Sequence, residues 1–332
     1  MVDVRRLHIL REVARQGSFA KAAAVLLLTP SAVSQQIAAL ERSLGLPVVE
    51  RSTRGVRLTE PGRIMVDAAD AVAAELADAQ CRISELVDGH TGSLCLDTFS
   101  SGGQLLLPDA LSRLLAEQPG VELAVAEADL EESVVHVREG SADLALTFHF
   151  DGPYMPEGAL SWTPLLRDPL WVVLPDGHRL AGRDALALAE LADEPWVLGC
   201  MLAAQAIDQY AAVAGFRPRV VCRSSDYVFA QSLVAAGVGI SLIPETALAT
   251  SPGPSGRVGS SGPGGHPGLR GLTAVPLRGP GPSRHIGALT LRRRWPQPLV
   301  GRLLQALRDT AAGLPSTGAH GSHRSVAPLA PG

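Results

Sequence analysis

The alternation of apolar and polar positions divides this chain into two regions with different periodicities. Over roughly the first ninety residues, apolar positions recur three and four residues apart, which is the spacing of amphipathic helices. From Ser93 onward, short apolar runs alternate with helical stretches. The first region is therefore predicted to be helical, and the second is predicted to be a doubly wound α/β body with parallel sheets.

Three short helices are predicted before residue 45. The first covers residues 4–16, and the second follows Ser18, a good N-cap residue. The third is capped by Thr29 and has Pro30 at its first position, where the missing N–H does no harm. Residues 48–58 then contain two β-prone pieces around a Ser-Thr-Arg-Gly turn, the pattern of a hairpin wing.

A long helix is predicted from Pro61 to about Val87, and it carries a heptad stripe. The stripe consists of Met65, Ala69, Val72, Leu76, Ala79, Ile83 and Leu86. Such a narrow stripe with charged flanks favours pairing with the same helix of a second subunit. The alternative is a helix that packs only on its own domain.

The α/β region contains the following predicted elements. Strands are expected at 93–99, 121–126, 143–148, 171–174, 196–198, 220–223, 240–243 and 287–291, and helices at 104–117, 131–139, 205–214, 227–236 and 298–311. Residues 251–271 are rich in Gly, Ser and Pro and are predicted to be a disordered insertion, as is a tail over 312–332.

Composition and charge reduce the number of function classes that fit the sequence. The chain has 332 residues, 46% of them hydrophobic and only 4% aromatic, and its net charge is −4. Residues 1–60 hold nine basic and five acidic residues, whereas 61–250 hold 10 basic and 27 acidic ones. A basic N-terminal module on an acidic body fits contact with nucleic acid at one end. No signal peptide or membrane span is recognisable and no Cys-x-x-Cys pair occurs, so we expect a cytoplasmic protein with reduced thiols and no membrane partner.

The predicted third helix separates its faces cleanly. Its apolar face consists of Val33, Ile37, Leu40 and Leu44, and its opposite face of Ser31, Ser34, Gln35 and Ala38. Small polar side chains suit insertion into a major groove, where they can hydrogen-bond to base edges. A small helical bundle with a solvated face is the alternative, but Arg51, Arg54 and Arg57 of the adjacent wing favour DNA.

Several runs in the first 62 residues resemble the signature of the LysR-type transcriptional regulators. They are 17–23, 29–37, 40–41, 44–45, 50–51 and 54–62. The resemblance implies a winged helix-turn-helix over 1–60, a linker (dimerisation) helix over 61–90 and a two-lobed, periplasmic-binding-protein-like α/β effector domain over 91–311. It places lobe I at about 93–165 and 272–311, and lobe II at about 166–271.

The same resemblance assigns roles to residues of the DNA-binding module. Base-reading positions match Pro30, Ser31, Ser34 and Gln35, the minor-groove arginine matches Arg54, and phosphate contacts match Lys21 and Thr29. With Arg51 and Arg57 of the wing, these residues form the predicted DNA-binding set. Gln35 stands where many members have Arg. The expected partners are double-stranded operator DNA with two-fold related half-sites and a homodimer or homotetramer; an interaction with RNA polymerase is left open.

In a two-lobed α/β domain, ligands are expected at the carboxyl ends of the strands, between the lobes. The candidate effector-binding residues are Thr98, Ser100, Ser101, Asp129, Phe148, His149, Cys200, Met201 and Asp226. Ser100 and Ser101 follow a strand and open a helix, so their N–H groups suit an anionic or strongly polar effector. The serines are equally well explained as helix caps, whereas a histidine after an apolar strand, such as His149, is more often a surface or hydrogen-bonded residue.

Three other functions remain as alternatives. Cys200 and Cys222 would be the partners in a thiol-based redox sensor, as in the peroxide-sensing branch of the family. A solute-binding protein would leave residues 1–62 without a purpose. An enzyme is disfavoured because the sequence lacks a Gly-x-Ser-x-Gly elbow, a His-Glu-x-x-His motif and a phosphate loop. No cofactor or metal is expected.

Overall fold

The computed structural model describes residues 3–52, 55–88, 92–150, 152, 154–156, 158–249, 271–279, 281–292 and 297–314. Almost all of the predicted insertion and tail, 251–270 and 315–332, lie outside the described residues. Within the described part, no single helix has both the length and the apolar composition to cross a membrane; only the pair Phe19–Val25 and Pro30–Leu44, bent by 107°, reaches them together.

The N-terminal module is a winged helix-turn-helix. Its elements are α1 (Val4–Gln16), α2 (Phe19–Val25), α3 (Pro30–Leu44), β1 (Val49–Ser52) and β2 (Gly55–Leu58). The side chains of Ser18 and Thr29 accept hydrogen bonds from backbone N–H groups three residues ahead and so begin α2 and α3. β1 and β2 pair antiparallel, with Val49 opposite Leu58. The predicted helices and the hairpin wing are therefore confirmed.

The turn between α2 and α3 contains an unusual residue. Helix α2 ends at Val25, and Leu27 takes a left-handed conformation with φ 55°. The Leu27 side chain is 92% exposed. A left-handed backbone strains any residue with a Cβ atom, so Leu27 is strained as well as exposed.

Helix α4 (Glu60–Asp88) links this module to the rest of the chain. It has 29 residues and is therefore roughly 43 Å long. Part of the predicted stripe is covered, because Met65 and Ala69 pack on the core of the helix-turn-helix. Leu76 and Ile83 are 57% and 61% exposed. The stripe thus leaves its central apolar side chains uncovered in a single subunit, and its pairing stays a prediction.

Lobe I is a three-layer unit. Its first elements are β3 (Ser93–Thr98), α5 (Ser100–Glu117), β4 (Glu122–Glu127), α6 (Leu130–Glu139) and β5 (Leu144–His149). Strand β3 lies between β4 and β5 and is parallel to both. Fully buried leucines of β3, α5 and β5 form its core together with Leu303 and Leu307 near the C-terminus.

The chain then crosses into lobe II and returns. The remaining elements are β6 (Leu160–Pro175), a 3₁₀ helix (Leu188–Leu191), β7 (Pro195–Leu198), α7 (Met201–Val213), β8 (Arg219–Arg223), α8 (Tyr227–Ala235), β9 (Ser241–Pro244), α9 (Glu245–Ala249), β10 (Leu272–Val275), β11 (Ser283–Leu291) and α10 (Pro298–Gly313). The core of lobe II centres on Trp196, which is fully buried. The observed architecture confirms the predicted fold class.

The prediction of parallel sheets is confirmed only for β3, β4 and β5 and for the pair β7 and β8. Strand β11 is antiparallel to both β5 and β6, and β6 is antiparallel to β9 and β10. Strand β11 runs against the βαβ strands of lobe I, and β6 runs against β9 of lobe II. The sheet order β10-β6-β11-β5-β3-β4 is consequently mixed.

Candidate DNA-binding surface and effector cleft

The two faces of α3 differ as the sequence predicted. Val33, Ile37 and Leu40 are almost completely buried against α1 and α2. Ser31 and Gln35 are exposed, and Ser34 is half-buried. The docked face fixes the orientation of the helix, and the free face presents hydroxyl and amide groups that can donate to and accept from base edges.

The residues assigned to phosphate contact lie at the start of the same surface. The Thr29 hydroxyl accepts from the Ala32 backbone N–H at 3.2 Å and lies 3.0 Å from the Ser31 hydroxyl. Lys21 is exposed on α2, and Pro30 is exposed at the first position of α3. Thr29 therefore already serves as a helix cap, and a phosphate would meet the N-terminus of α3 beside it.

The wing is fixed to the end of α1. The Val56 backbone N–H donates to the Gly17 carbonyl oxygen at 3.0 Å. A Cβ atom at Gly55, whose φ is 126°, would lie 2.8 Å from that oxygen, so only glycine fits there. Arg57 is exposed on β2 and Arg51 lies in β1. The prediction for Arg54 falls outside the described residues.

The predicted serines of the effector cleft have different environments. Ser100 is exposed at the first turn of α5, whose N-cap residue Phe99 makes no side-chain cap bond. Ser101 is buried, and its hydroxyl accepts from Arg284 Nη1 at 3.0 Å. Thr98 is buried and donates to the Phe99 carbonyl oxygen. Among these three hydroxyls, only that of Ser100 belongs to an exposed residue.

Two predicted acidic lining residues act as helix caps. The Asp129 carboxylate accepts from the Glu132 N–H at 2.9 Å in a capping box that begins α6. The Asp226 carboxylate accepts from the Val228 N–H at 2.7 Å at the start of α8. Both residues are exposed, and their carboxylates are engaged by their own helices.

Phe148 and His149 end β5 on opposite faces, because side chains alternate along a strand. The Phe148 ring lies 4.8 Å from the Phe99 ring, inside lobe I. His149 is half-buried, stands opposite His285 in the ladder and lies 6.0 Å from the Tyr154 ring. The structure thus brings Phe148, but not His149, to the side of Ser101.

Lobe II contributes the start of α7. Cys200 is its N-cap residue and makes no side-chain cap bond, and Met201 is its first residue. Cys200 packs against the apolar cores of both lobes. Two helix N-termini without side-chain caps, those of α5 and α7, therefore lie on either side of the boundary between the lobes.

A buried ion pair, missed by the sequence analysis, connects these parts. Arg284 Nε donates to Asp168 Oδ2 at 2.9 Å, and Nη2 donates to the same oxygen at 2.5 Å. Thr246 donates to the Asp168 carboxylate from both its N–H and its hydroxyl. With Ser101 from lobe I, these residues form what we call the hub. Both charged side chains are at most 1% exposed.

Aromatic rings surround the Arg284 guanidinium. Its Cζ atom lies 5.2 Å from the Phe99 ring centroid, 4.9 Å from Phe148 and 5.9 Å from Tyr227. Burial would lower the pKa of Arg284, but Asp168 and Tyr227 raise it overall. Burial raises the pKa of the Tyr227 hydroxyl, which lies beside Cys200. The arginine is therefore permanently charged and held between the lobes by both ionic and cation–π contacts.

Glu245 adds a second carboxyl group near the hub. Burial, and then the neighbouring Asp168 charge, raise its pKa from 4.5 to about 7. The only sequence signals for the hub were single charged residues in or beside apolar strands. Their pairing depends on the register of β6 and β11, where Asp168 stands directly opposite Arg284.

The cysteines and the possible metal ligands of the described residues bear on the alternative functions. Cys95, Cys200 and Cys222 take part in no disulfide bond. Among the described residues, no group of three or more His, Cys, Asp or Glu side chains is placed to hold a metal ion.

Two family models match the chain. Residues 4–63 match "Bacterial regulatory helix-turn-helix protein, lysR family", and residues 88–260 match "LysR substrate binding domain". Among curated relatives, the regulator IlvR of Caulobacter vibrioides is 34% identical over 73% of this chain and 82% of its own length. A "probable hydrogen peroxide-inducible genes activator" of Mycobacterium avium is 33% identical over 71% of this chain and 76% of its own length.

Solved structures show the same fold. The LysR family regulator HinK of Pseudomonas aeruginosa has a TM-score of 0.54 and 20% identity, over 93% of this chain and 98% of its own. Full-length BenM has a TM-score of 0.54 and 22% identity, over 94% of this chain and 97% of its own.

Proposed function

This chain belongs to the LysR family of transcriptional regulators, and we propose that it reads operator DNA with α3 and its wing in response to a small effector. The observation that carries the DNA part is the polar face of α3, where Ser31 and Gln35 are exposed while Val33, Ile37 and Leu40 are buried. In this proposal Ser31, Ser34 and Gln35, with Pro30, contact base edges. Lys21, Thr29, Arg51 and Arg57 contact phosphates, and Arg54 enters a minor groove.

The experiment separates base reading from phosphate contact. Ser34→Ala and Gln35→Ala should each weaken binding to the DNA flanking the protein's own gene by about 1–3 kcal/mol, with little change on random duplex. Ser43→Ala, at the opposite end of α3, is the matched control, since the Ser43 hydroxyl donates only to the Leu40 carbonyl oxygen in the described contacts. Equal losses on both DNAs would contradict base reading.

We propose further that α4 pairs two subunits and so spaces two recognition helices for half-sites related by a two-fold axis. The exposed Leu76 and Ile83 support this arrangement. Leu76→Asp should give monomers in light scattering and abolish tight operator binding. A Leu76→Asp protein that remains a dimer or tetramer would show that the interface lies elsewhere.

For the effector, the uncapped N-termini of α5 and α7 support an anionic or strongly polar ligand. Ser100 would bind it from lobe I, and the Cys200–Met201 turn would close over it from lobe II. Ser100→Ala should abolish most of the change in promoter output caused by a compound found in a thermal-shift screen, with basal DNA binding retained. A wild-type response in the Ser100→Ala variant would show that Ser100 does not bind the effector and only forms the start of α5.

Redox sensing is a second candidate, favoured by the free Cys200 thiol beside Arg284 and Tyr227. In that case dilute hydrogen peroxide should change the footprint of the wild type but not that of Cys200→Ser. Neither function requires an enzyme activity, a cofactor or a membrane, and both are compatible with a cytoplasmic regulator that meets RNA polymerase at the promoter.

A further inference from the structure

Helix α6 lies between the effector cleft and the DNA-binding module of the same chain. Its N-cap residue, Asp129, follows β4 at the edge of the cleft, where the Ala128 N–H donates to the Thr98 carbonyl oxygen at 3.0 Å. Its last residue, Glu139, accepts from Arg15 Nη1 of α1 at 3.3 Å. The helix has 10 residues, and about 15 Å therefore separates its two ends.

The helix is firmly attached to lobe I. Ser133 and Val137 are fully buried against the sheet. His136 Nδ1 lies 2.7 Å from Asp97 Oδ2, and Asp97 belongs to β3, one residue before Thr98. A helix fixed by both apolar and polar contacts moves with the sheet beneath it, so a shift of lobe I is carried to Glu139.

The far end of α6 is enclosed by two helices of the other module. Glu139 lies 3.8 Å from Arg11 Nη2 as well as next to Arg15, and Arg11 Nη1 lies 3.9 Å from Asp70 of α4. Gly140, which ends α6 at φ 77°, touches α4 so closely that a Cβ atom there would lie 3.1 Å from Ala74 Cα. The negative end of the α6 dipole adds to the attraction for the two arginines.

Helix α1 in turn fixes α3. Leu7, Leu10 and Val13 share one buried cluster with the apolar face of α3. Arg6 Nε also donates to Gln36 Oε1 of α3 at 3.3 Å. The orientation of α1 therefore sets the orientation of the recognition helix.

We propose that Glu139 is a positioning residue for operator recognition: through Arg15 and Arg11 it sets the angle between lobe I and the recognition helix. We call this set of three residues the joint. The inference rests on the proposed function, since it concerns how the effector domain controls DNA binding. Half-exposed ion pairs stabilise one arrangement only about two- to fivefold, so the joint is weak enough to be released when the lobes move.

The test is a charge swap in the full-length protein on DNA flanking its own gene. Glu139→Arg and Arg15→Glu should each change the length of the footprint and the bend angle from circular-permutation gel shifts. The double variant Arg15→Glu/Glu139→Arg restores this ion pair with opposite polarity. It leaves Arg11 beside the new arginine (3.8 Å in the present pair) and Glu12 beside the new glutamate (3.4 Å), so it should return both values only part of the way toward wild type. Thermal unfolding checks that each variant is folded.

A matched ion pair far from the DNA-binding module provides the control. Arg302 Nη1 of α10 lies 3.4 Å from Glu117 Oε2 of α5, and the two side chains are 49% and 64% exposed. The swap Glu117→Arg/Arg302→Glu and its single variants should leave footprint and bend unchanged.

The outcomes separate this inference from the proposed function. Single variants that bind and bend DNA like wild type overturn the joint and leave the function intact. If Arg15→Glu weakens random-duplex binding and the double variant does not recover, Arg15 contacts phosphate and the joint is refuted. If the wild type itself gives no footprint, the proposed function fails first.

Discussion

The hub and the joint are both clusters of arginine and carboxylate, but their surroundings differ. In the hub, Arg284 and Asp168 are 1% and 0% exposed, whereas Arg15 and Glu139 of the joint are 43% and 28% exposed. A buried charge that loses its partner cannot be hydrated, whereas a half-exposed one can. The same kind of arginine–carboxylate ion pair is therefore a lasting contact where it is buried inside the effector domain. Between the modules, where it is partly exposed, it is a contact that can open.

The largest effect is expected from breaking the hub on one side. Arg284→Met leaves the Asp168 carboxylate buried without its counter-ion, so we expect a loss of about 3–5 kcal/mol in the free energy of unfolding. Urea denaturation followed by circular dichroism measures it.

Removing both charges of the hub provides the control. Arg284→Met combined with Asp168→Leu should recover most of that loss, because no isolated charge remains. A double variant as unstable as Arg284→Met alone would mean that the packing of the site, and not its charge, dominates.

The titration of Glu245, which lies near the hub, makes the stability of this region depend on pH. Its folded-state pKa of about 7 lies above the ordinary 4.5, so the folded protein holds a proton that the unfolded chain has released. The contribution of Glu245 to stability should be constant below about pH 4.5, decrease between pH 4.5 and 7, and keep the lower value above pH 7. After allowance for partial exposure, Glu245→Gln should raise the free energy of unfolding by about 1–2 kcal/mol at pH 8. It should also remove the decrease of that free energy with pH between 4.5 and 7. An unchanged slope contradicts the assignment.

Asp70 is the corresponding group at the joint. Burial raises its pKa from 3.8 to about 6, against the lowering effect of Arg11. Stability should therefore fall between about pH 4 and 6, and Asp70→Asn should gain about 1 kcal/mol at neutral pH. Thermal melts across this pH range measure the change, and Glu75→Gln, farther along the same helix, is the control.

The smallest effect on stability is expected at the joint itself. Glu139→Gln removes the partly exposed partner of Arg15 and Arg11 and should change the free energy of unfolding by no more than about 0.5–1 kcal/mol. A loss as large as that of Arg284→Met would remove the distinction between hub and joint.

Sequence periodicity was sufficient for elements whose pattern is local. The apolar face of α3 and the bounds of α4 were predicted within a residue or two, because helical spacing of Val33, Ile37 and Leu40 needs no distant partner. Strand β6 was predicted only from residue 171, since Pro164, Asp168 and Pro169 resemble a crossing loop. Partners across the sheet, not local propensity, extend it.

The cleft was harder to predict for the same reason. A serine at a helix start has the same local pattern whether its hydroxyl faces solvent, as at Ser100, or meets a buried arginine, as at Ser101. Arg284 is 183 positions from Ser101 along the chain, and local sequence patterns do not indicate that two such distant residues are in contact. The five-residue helix α9, which brings Thr246 to Asp168, is too short for a periodic signal.

Strand β6 has a mechanical consequence. It pairs with β11 from Leu160 to Pro169 and continues without interruption into lobe II, where β9 and β10 flank it up to Pro175. The ladder with β11 contains a bulge between Ile286 and Gly287, a place where a strand bends most easily. The lobes are thus joined by a continuous hydrogen-bonded strand rather than by a flexible loop. Ligand-driven closure would flex a hydrogen-bonded ribbon through a small angle, and the elastic strain would reopen the domain once the ligand leaves.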